Sequence, residues 1–301
     1  MNVLITGASG FIGQFLVERL IREKLEVICV SRKKRDFKNS GENNTFNIDL
    51  VSDSLDLIEQ KVDVIINLAS LQPKDNSITW AEYYKANVEI VRNLWKFSEK
   101  KRVQQFIHVS TTSIYGPINN KFQRINEDSK IEPQNFYCLS KSLGEQLLKI
   151  LNFSSNFGVK CCVLRFSSVF GKNQNGGLID SFYSLAIKSQ DIEIYNKGSN
   201  YRNFLYVSQA VEAICSCLKE RENLSDFDAF VIGSSDSLKT IDIARLIVSK
   251  TNSLSSLIPI GKSSSVKGNI VLDQSKAKAK LNYFPVSIEE GINLYLESFN
   301  Q

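Results

Sequence analysis

Histidine is almost absent from this chain: His108 is the only one in 301 residues. The six cysteines, at 29, 138, 161, 162, 215 and 217, form no CxxC pair, and a zinc site would need a better ligand set than these and one histidine. Reduced, mostly buried thiols are expected instead. No apolar run is long enough for a transmembrane span, since each is short and broken by charges. The N-terminal stretch MNVLITGASGFIG enters a strand pattern directly, without a basic n-region or cleavage site. The expectation is a cytoplasmic protein with no membrane partner. No arginine-rich arm or interleaved aromatic pattern is present to bind nucleic acid.

The net charge of +5 is mild, and two basic clusters stand out, Arg32-Lys33-Lys34-Arg35 and Lys276-Ala-Lys278-Ala-Lys280. The second reads as a solvated helix face. With 43% hydrophobic residues the chain can bury a sizeable core. Short apolar, β-branched runs at 2–6, 26–30, 63–67, 105–110 and 160–166 alternate with helical patterns at 11–24, 80–100 and 136–152. That alternation predicts an α/β, Rossmann-type, doubly wound parallel sheet. A third strand ending near Asp49 is also expected.

After Gly171 the pattern loosens into a loop (171–177), a helix at 178–188, short strands at 192–195 and 204–207, and a strand at 229–233 returning to the sheet. Helices around a strand at 269–272 complete the reading. The expected division is a nucleotide-binding domain over 1–170, rejoined by 203–233. A smaller, discontinuous substrate domain would take 171–202 and 234–301.

Gly7, Gly10 and Gly13 make a GxxGxxG turn between the first strand and helix, where backbone can approach a pyrophosphate. The next strand ends Val30-Ser31-Arg32 with no acid to hold a ribose 2′-hydroxyl. Ser31 and Arg32 suit a 2′-phosphate, which favours NADP(H) and leaves NAD(H) possible. Asp49 is placed to accept from an adenine amine. Tyr137 alone among ten tyrosines has a lysine four residues on, Lys141. One helix face would carry both, either as a surface pair or as an acid/base pair in which the ammonium lowers the phenol's pKa.

Taken together, TGASGFIG (6–13), Asp49-Leu50, Asn67-Leu68-Ala69, Asn87, STTSIYG (110–116), YCLSK (137–141), LRFSSVFG (164–171), YRNFLYV (201–207) and the tail 273–291 resemble the extended short-chain dehydrogenase/reductases. Within these the resemblance is to the NAD(P)-dependent nucleotide-sugar epimerase/dehydratase family. It implies cofactor contacts from Gly7, Gly10, Phe11, Ile12, Gly13, Ser31, Arg32, Asp49, Leu50, Leu68, Ala69, Tyr137 and Lys141. It also implies a catalytic trio of Thr111, Tyr137 and Lys141, substrate contacts from Thr111, Ser168 and Arg202, no metal, and a homodimer. Asn87 would hold a water or support the helix of Lys141, or serve as a plain helix–sheet contact.

The departures narrow the reaction. Ser168 stands where the family has asparagine, Asn203 replaces an aspartate, and Ser208-Gln209 replace an acidic pair. Thr112-Ser113 occupy the places of a dehydratase's Asp-Glu, which argues against dehydration. His108 and Thr111 should point to opposite faces of their strand, making His108 a core residue rather than an epimerising base. Cys138 is turned about 100° from Tyr137 around the helix. Hydride chemistry at sugar C4 remains, with a lean to a 4-keto-sugar reductase over a 4-epimerase. An apolar-ketone reductase and a non-catalytic NADP sensor are the further alternatives.

Overall fold

The computed structural model describes residues 1–32, 44–73, 77–118, 123–174, 176–261 and 268–300. Lys33, Lys34 and Arg35 of the first basic cluster lie outside them. The chain opens with β1 (Asn2–Thr6), α1 (Phe11–Arg22), β2 (Glu26–Ser31), β3 (Thr45–Asn47) and β4 (Val64–Asn67). Next come α2 (Trp80–Tyr84), α3 (Ile90–Lys101), β5 (Gln105–Thr111), α4 (Phe136–Ser154), β6 (Lys160–Phe166) and β7 (Ser168–Phe170). The remainder is α5 (Leu178–Ala186), β8 (Ile192–Ile194), β9 (Tyr201–Arg202), β10 (Phe204–Tyr206), α6 (Val207–Lys219), β11 (Phe227–Ile232) and β12 (Leu238–Lys239). It closes with α7 (Thr240–Lys250), β13 (Leu257–Pro259), α8 (Ser275–Leu281) and α9 (Ile288–Glu297).

Among the described residues a seven-stranded sheet runs β3-β2-β1-β4-β5-β6-β11, and each neighbouring pair is parallel. Strand alternation divides the core. Val3 and Ile5 pack toward α1 and α6, while Leu4 and Ile65 pack toward α3 and α4. Both faces are covered, which is why these strands read as continuous apolar runs. Strand order reverses between β1 and β4, so a crevice opens at their carboxyl ends. A separate core joins Phe170, Phe182, Ile243, Ile288 and Tyr295 beyond the sheet.

Several expectations shift in detail. The helix expected at 80–100 is interrupted by a π-turn, Lys85–Glu89, which holds Asn87. The strand expected at 269–272 is reduced to isolated bridges, Ile118 with Asn269 and Ile125 with Leu272. The third strand stops at Asn47, two residues before Asp49.

The lysines of α8 are not a simple solvated face. Lys276 and Lys280 both close on Asp228 of β11, at 2.9 and 3.0 Å. Burial would raise the Asp228 pKa, but hydrogen bonds from Lys276, the Ser225 N–H and Lys280 outweigh it and hold it below the usual carboxylate range. Because the folded value is depressed, this stabilisation is present above the ordinary aspartate pKa and lost as pH falls through the folded one. Asp228→Asn should lower stability by about 2 kcal/mol at neutral pH, an amount already discounted for the partly exposed lysines. Urea unfolding of both proteins at neutral pH and near pH ~3 checks this, since the gap should shrink at the acid end.

Candidate active site

The crevice is built from the turn after β1, the loop after β4, the end of β5 and the start of α4. Gly7 has φ +67°, and a Cβ on it would lie 2.9 Å from the Ala69 amide nitrogen. A Cβ on Gly13 would lie 2.4 Å from the Gly7 carbonyl oxygen, so α1 can approach β1 only with glycine there. Gly10 occupies the N-cap of α1 and brings no side chain to the first-turn N–H groups. A twelve-residue helix thus points its amides and partial positive charge into the crevice behind a side-chain-free turn. This cradle fits a dinucleotide pyrophosphate.

The other expected cofactor residues divide. Leu68 and Ala69 follow β4 beside this turn, the Leu68 amide donating to the Thr6 carbonyl at 3.2 Å. Ser31 is buried at the end of β2 and Arg32 beside it is exposed. The Asp49 carboxylate accepts from the Val51 amide at 2.9 Å. Leu50 packs into the core, and its carbonyl accepts from Asn93. The Phe11 and Ile12 side chains are packed against core as well, so what these two can offer a ligand is their backbone N–H.

Asn135 caps α4, its side chain accepting from the Cys138 amide at 2.9 Å. The cap sets Tyr137 in the first helical turn, pointing back toward the end of β5. Thr111 closes β5, and its hydroxyl accepts from the Ser113 amide at 3.1 Å, starting a 3₁₀ turn that runs to Tyr115. Burial pushes the Tyr137 phenol above its ordinary pKa, while hydrogen bonds with Gln72 and Thr111 pull it back. Thr111 and Tyr137 are therefore together. Gln72, in the loop after β4, is a third member that sequence reasoning missed. Its position just beyond a strand at the crevice was the available signal.

Lys141 is buried at 2% exposure, and its ammonium donates to the Val109 carbonyl at 2.7 Å. Burial lowers its pKa to about 8, with Glu145 opposing the shift. Desolvation is the largest influence on the Tyr137 phenol, so its pKa is raised on balance rather than lowered as expected. Asn87 is used up structurally. Its amide donates to Ser140 at 2.9 Å and Leu71 at 3.3 Å, and its oxygen accepts from Ser70 and the Leu71 amide. It joins α4 to the loop after β4, one residue before Lys141.

His108 is a core residue at 1% exposure, 3.0 Å from Asn67 through Nδ1. Burial first, then the Lys141 charge, hold its pKa well below the usual histidine value. Thr112 and Cys138 are likewise buried. Ser168 is exposed at the start of β7, paired in register with Phe204 of β10. Arg202 lies on β9, two residues before Phe204, with Nη1 donating to the Gly268 carbonyl at 3.1 Å. Asn203 turns inward at 2% exposure. Its amide donates to the Ser234 and Asp236 carbonyls, and its oxygen accepts from the Ser234 amide. The departure from aspartate there is a structural corner that needs an amide donor.

The model of the NAD dependent epimerase/dehydratase family matches residues 3–233. The chain belongs to that family. An NAD-dependent epimerase/dehydratase of this kind is the family that the motifs resemble. The chain is 26% identical over 325 aligned positions to YtcB of Bacillus subtilis, named as an uncharacterised UDP-glucose epimerase, covering 100% of this chain and 99% of that protein. It is 31% identical over 261 positions to an Arabidopsis thaliana trifunctional UDP-glucose 4,6-dehydratase, epimerase and reductase, covering 81% of this chain and 38% of that one. Among solved structures, a Thermotoga maritima UDP-glucose 4-epimerase with UDP-glucose superposes with a TM-score of 0.84 at 25% identity, covering 100% of this chain and 99% of that one. MoeE5 in complex with UDP-glucose and NAD shares the fold at a TM-score of 0.86 and 22% identity, with the same coverage. Among the described residues no helix is long and apolar enough to cross a membrane.

Proposed function

We propose that this epimerase/dehydratase family member transfers hydride at C4 of a nucleotide-diphosphate sugar, and that it acts as a 4-keto-sugar reductase. The observation that carries the reading is the joining of Tyr137 to Thr111 over a buried Lys141 at the mouth of the crevice. UDP-sugars accompany the relatives and neighbours by name, which supports a nucleotide-sugar substrate. A bound nicotinamide would supply the hydride. Thr111 would hold the reacting oxygen by a hydrogen bond, and Tyr137 would hand that oxygen a proton. Lys141 would hold the nicotinamide ribose, and Arg202 would face the diphosphate with Ser168 beside the sugar.

The half-buried Tyr137 phenol, held above its ordinary pKa by desolvation, is a proton donor at neutral pH, which supports the ketone-reducing reading. Dehydration would need acids where Thr112 and Ser113 stand. The 4-epimerase is the second reading, favoured by the Thermotoga likeness. Arg32, exposed directly after β2, with no acid among Cys29, Val30 and Ser31 that end the strand, supports NADP(H) over NAD(H).

We assign the nucleotide-binding unit to 1–170 with 203–233 and the substrate unit to the rest. A homodimer is also proposed. Phe136, Leu139, Ile150 and Phe153 lie on one face of α4 at helical spacing and are exposed at 53, 37, 62 and 64%. The functional test is consumption of NADPH with UDP-, dTDP- and GDP-linked 4-keto-6-deoxy sugars and product analysis. Oxidation with one donor is expected. No oxidation, with NAD(P) retained through purification, would move the assignment to the 4-epimerase.

A further inference from the structure

Glu145 lies one helical turn beyond Lys141 on α4, and at a spacing of four the two share a face. Both are buried, Glu145 at 4% exposure. Arg165 of β6 reaches Glu145 with two N–H groups, Nε at 3.0 Å and Nη2 at 2.8 Å, and both land on Oε2. Oε1 is buried without a hydrogen-bond partner among the described residues. The third arm of the guanidinium, Nη1, donates to the Tyr115 hydroxyl at 2.6 Å and the Glu127 carbonyl at 3.1 Å. Tyr115 ends the turn that Thr111 begins. One buried ion pair therefore ties the helix of Tyr137 and Lys141 to the turn of Thr111.

A buried ion pair is a poor source of stability, because desolvation of both charges offsets most of their attraction. Here the pair also leaves one carboxylate oxygen unpaired in the interior, which a purely structural clamp would have satisfied. We propose that Glu145, held by Arg165, is a positioning residue that keeps Lys141 in its ammonium form at the working pH and so tunes the Tyr137–Lys141 pair. This rests on the hydride-transfer reading above.

The surroundings of Lys141 agree. His108 on β5 is held neutral by burial. Tyr137 on the same helix, Tyr83 of α2 beside it and Tyr115 are phenols. Arg165 is a cation committed to Glu145. The Glu127 carboxylate is spent on the Val231 amide at 2.7 Å. From the π-turn and α3, the Asn87 backbone and the Val91 side chain lie against Gly144 and bring no charge. Glu145 is the neighbour that opposes the burial of the Lys141 charge.

The test is an NMR titration of cofactor-free protein labelled at lysine Cε, with Lys141→Arg to assign the signal. The Lys141 midpoint should lie near 8 in the natural protein. It should fall by about one pH unit in Glu145→Gln, which keeps the acceptor for Arg165 and removes the charge. The alkaline limb of the turnover profile should move down by the same amount. If Glu145→Gln does not fold, the double variant Glu145→Gln, Arg165→Gln removes both charges and should still titrate below the natural protein, by less. A Lys141 midpoint unchanged within about 0.3 units in a folded variant would overturn the proposal. The titration uses neither cofactor nor substrate, so that result leaves the C4 reading standing. Failure of the C4 reading in the sugar assay, in turn, leaves the titration as found.

Discussion

Tyr137→Phe should lose at least about 10³-fold in turnover while binding NADPH with nearly unchanged affinity. The substitution removes one hydroxyl, and with it the group that can pass a proton to the sugar oxygen. It leaves the ring, which packs 6.2 Å from the Tyr83 ring, and it leaves the glycine turn and the α1 N-terminus untouched. The lost hydrogen bonds with Gln72 and Thr111 should cost about 1–3 kcal/mol together. Fluorescence titration with NADPH, beside steady-state assays, separates the two effects. A variant that keeps near-normal turnover would show that another group carries the proton.

The second large effect is at Lys141, where stability and activity should move in opposite directions. The Lys141 pKa falls to about 8 because burial disfavours its ammonium. A base depressed in the folded state costs stability below that value, and the cost is relieved as pH rises from about 8 toward the ordinary lysine value near ~10.4. Lys141→Met removes the charge and keeps most of the stem. It also strands the Val109 carbonyl that accepts the ammonium at 2.7 Å, which returns part of the gain. The net expectation is a stability gain on the order of 1 kcal/mol at neutral pH, shrinking at alkaline pH, with turnover down by about 10²-fold or more. Thermal unfolding at two pH values, with kinetics, checks both halves. A less stable variant with normal turnover would mean that Lys141 serves packing alone.

The sheet was legible because its strands are buried on both faces and so spell apolar, β-branched runs such as Val64–Asn67 and Lys160–Phe166. The glycine turn was legible because close approach leaves no other residue at Gly7 and Gly13. What stayed hidden depends on distant partners. Lys276 and Lys280 look like a solvated face until β11 brings Asp228 beneath them. Residues 269–272 carry a strand-like pattern, yet their neighbours Ile118 and Ile125 lie in irregular chain and offer only bridges. The π-turn at Lys85–Glu89 adds a local bulge that a 3.6-residue periodicity cannot register.

The candidate site was legible as a set of residues but not as a charge balance. Spacing put Tyr137 and Lys141 on one face and suggested that the ammonium would draw the phenol down. Burial outweighs that in the folded chain, for both groups and in opposite directions. Arg165 and Glu145 belong to the same motifs, in LRFSSVFG and one turn beyond YCLSK. Their pairing needed the register that sets β6 beside β5 under α4.

The central claim is that hydride passes to the sugar at C4, and isotope tracing tests it most directly. NADPH deuterated at the transferred position of its nicotinamide would be incubated with the enzyme and the 4-keto sugar that supports oxidation. The product would then be read by proton NMR. Deuterium at sugar C4 is the predicted result; turnover that leaves C4 without label would contradict it.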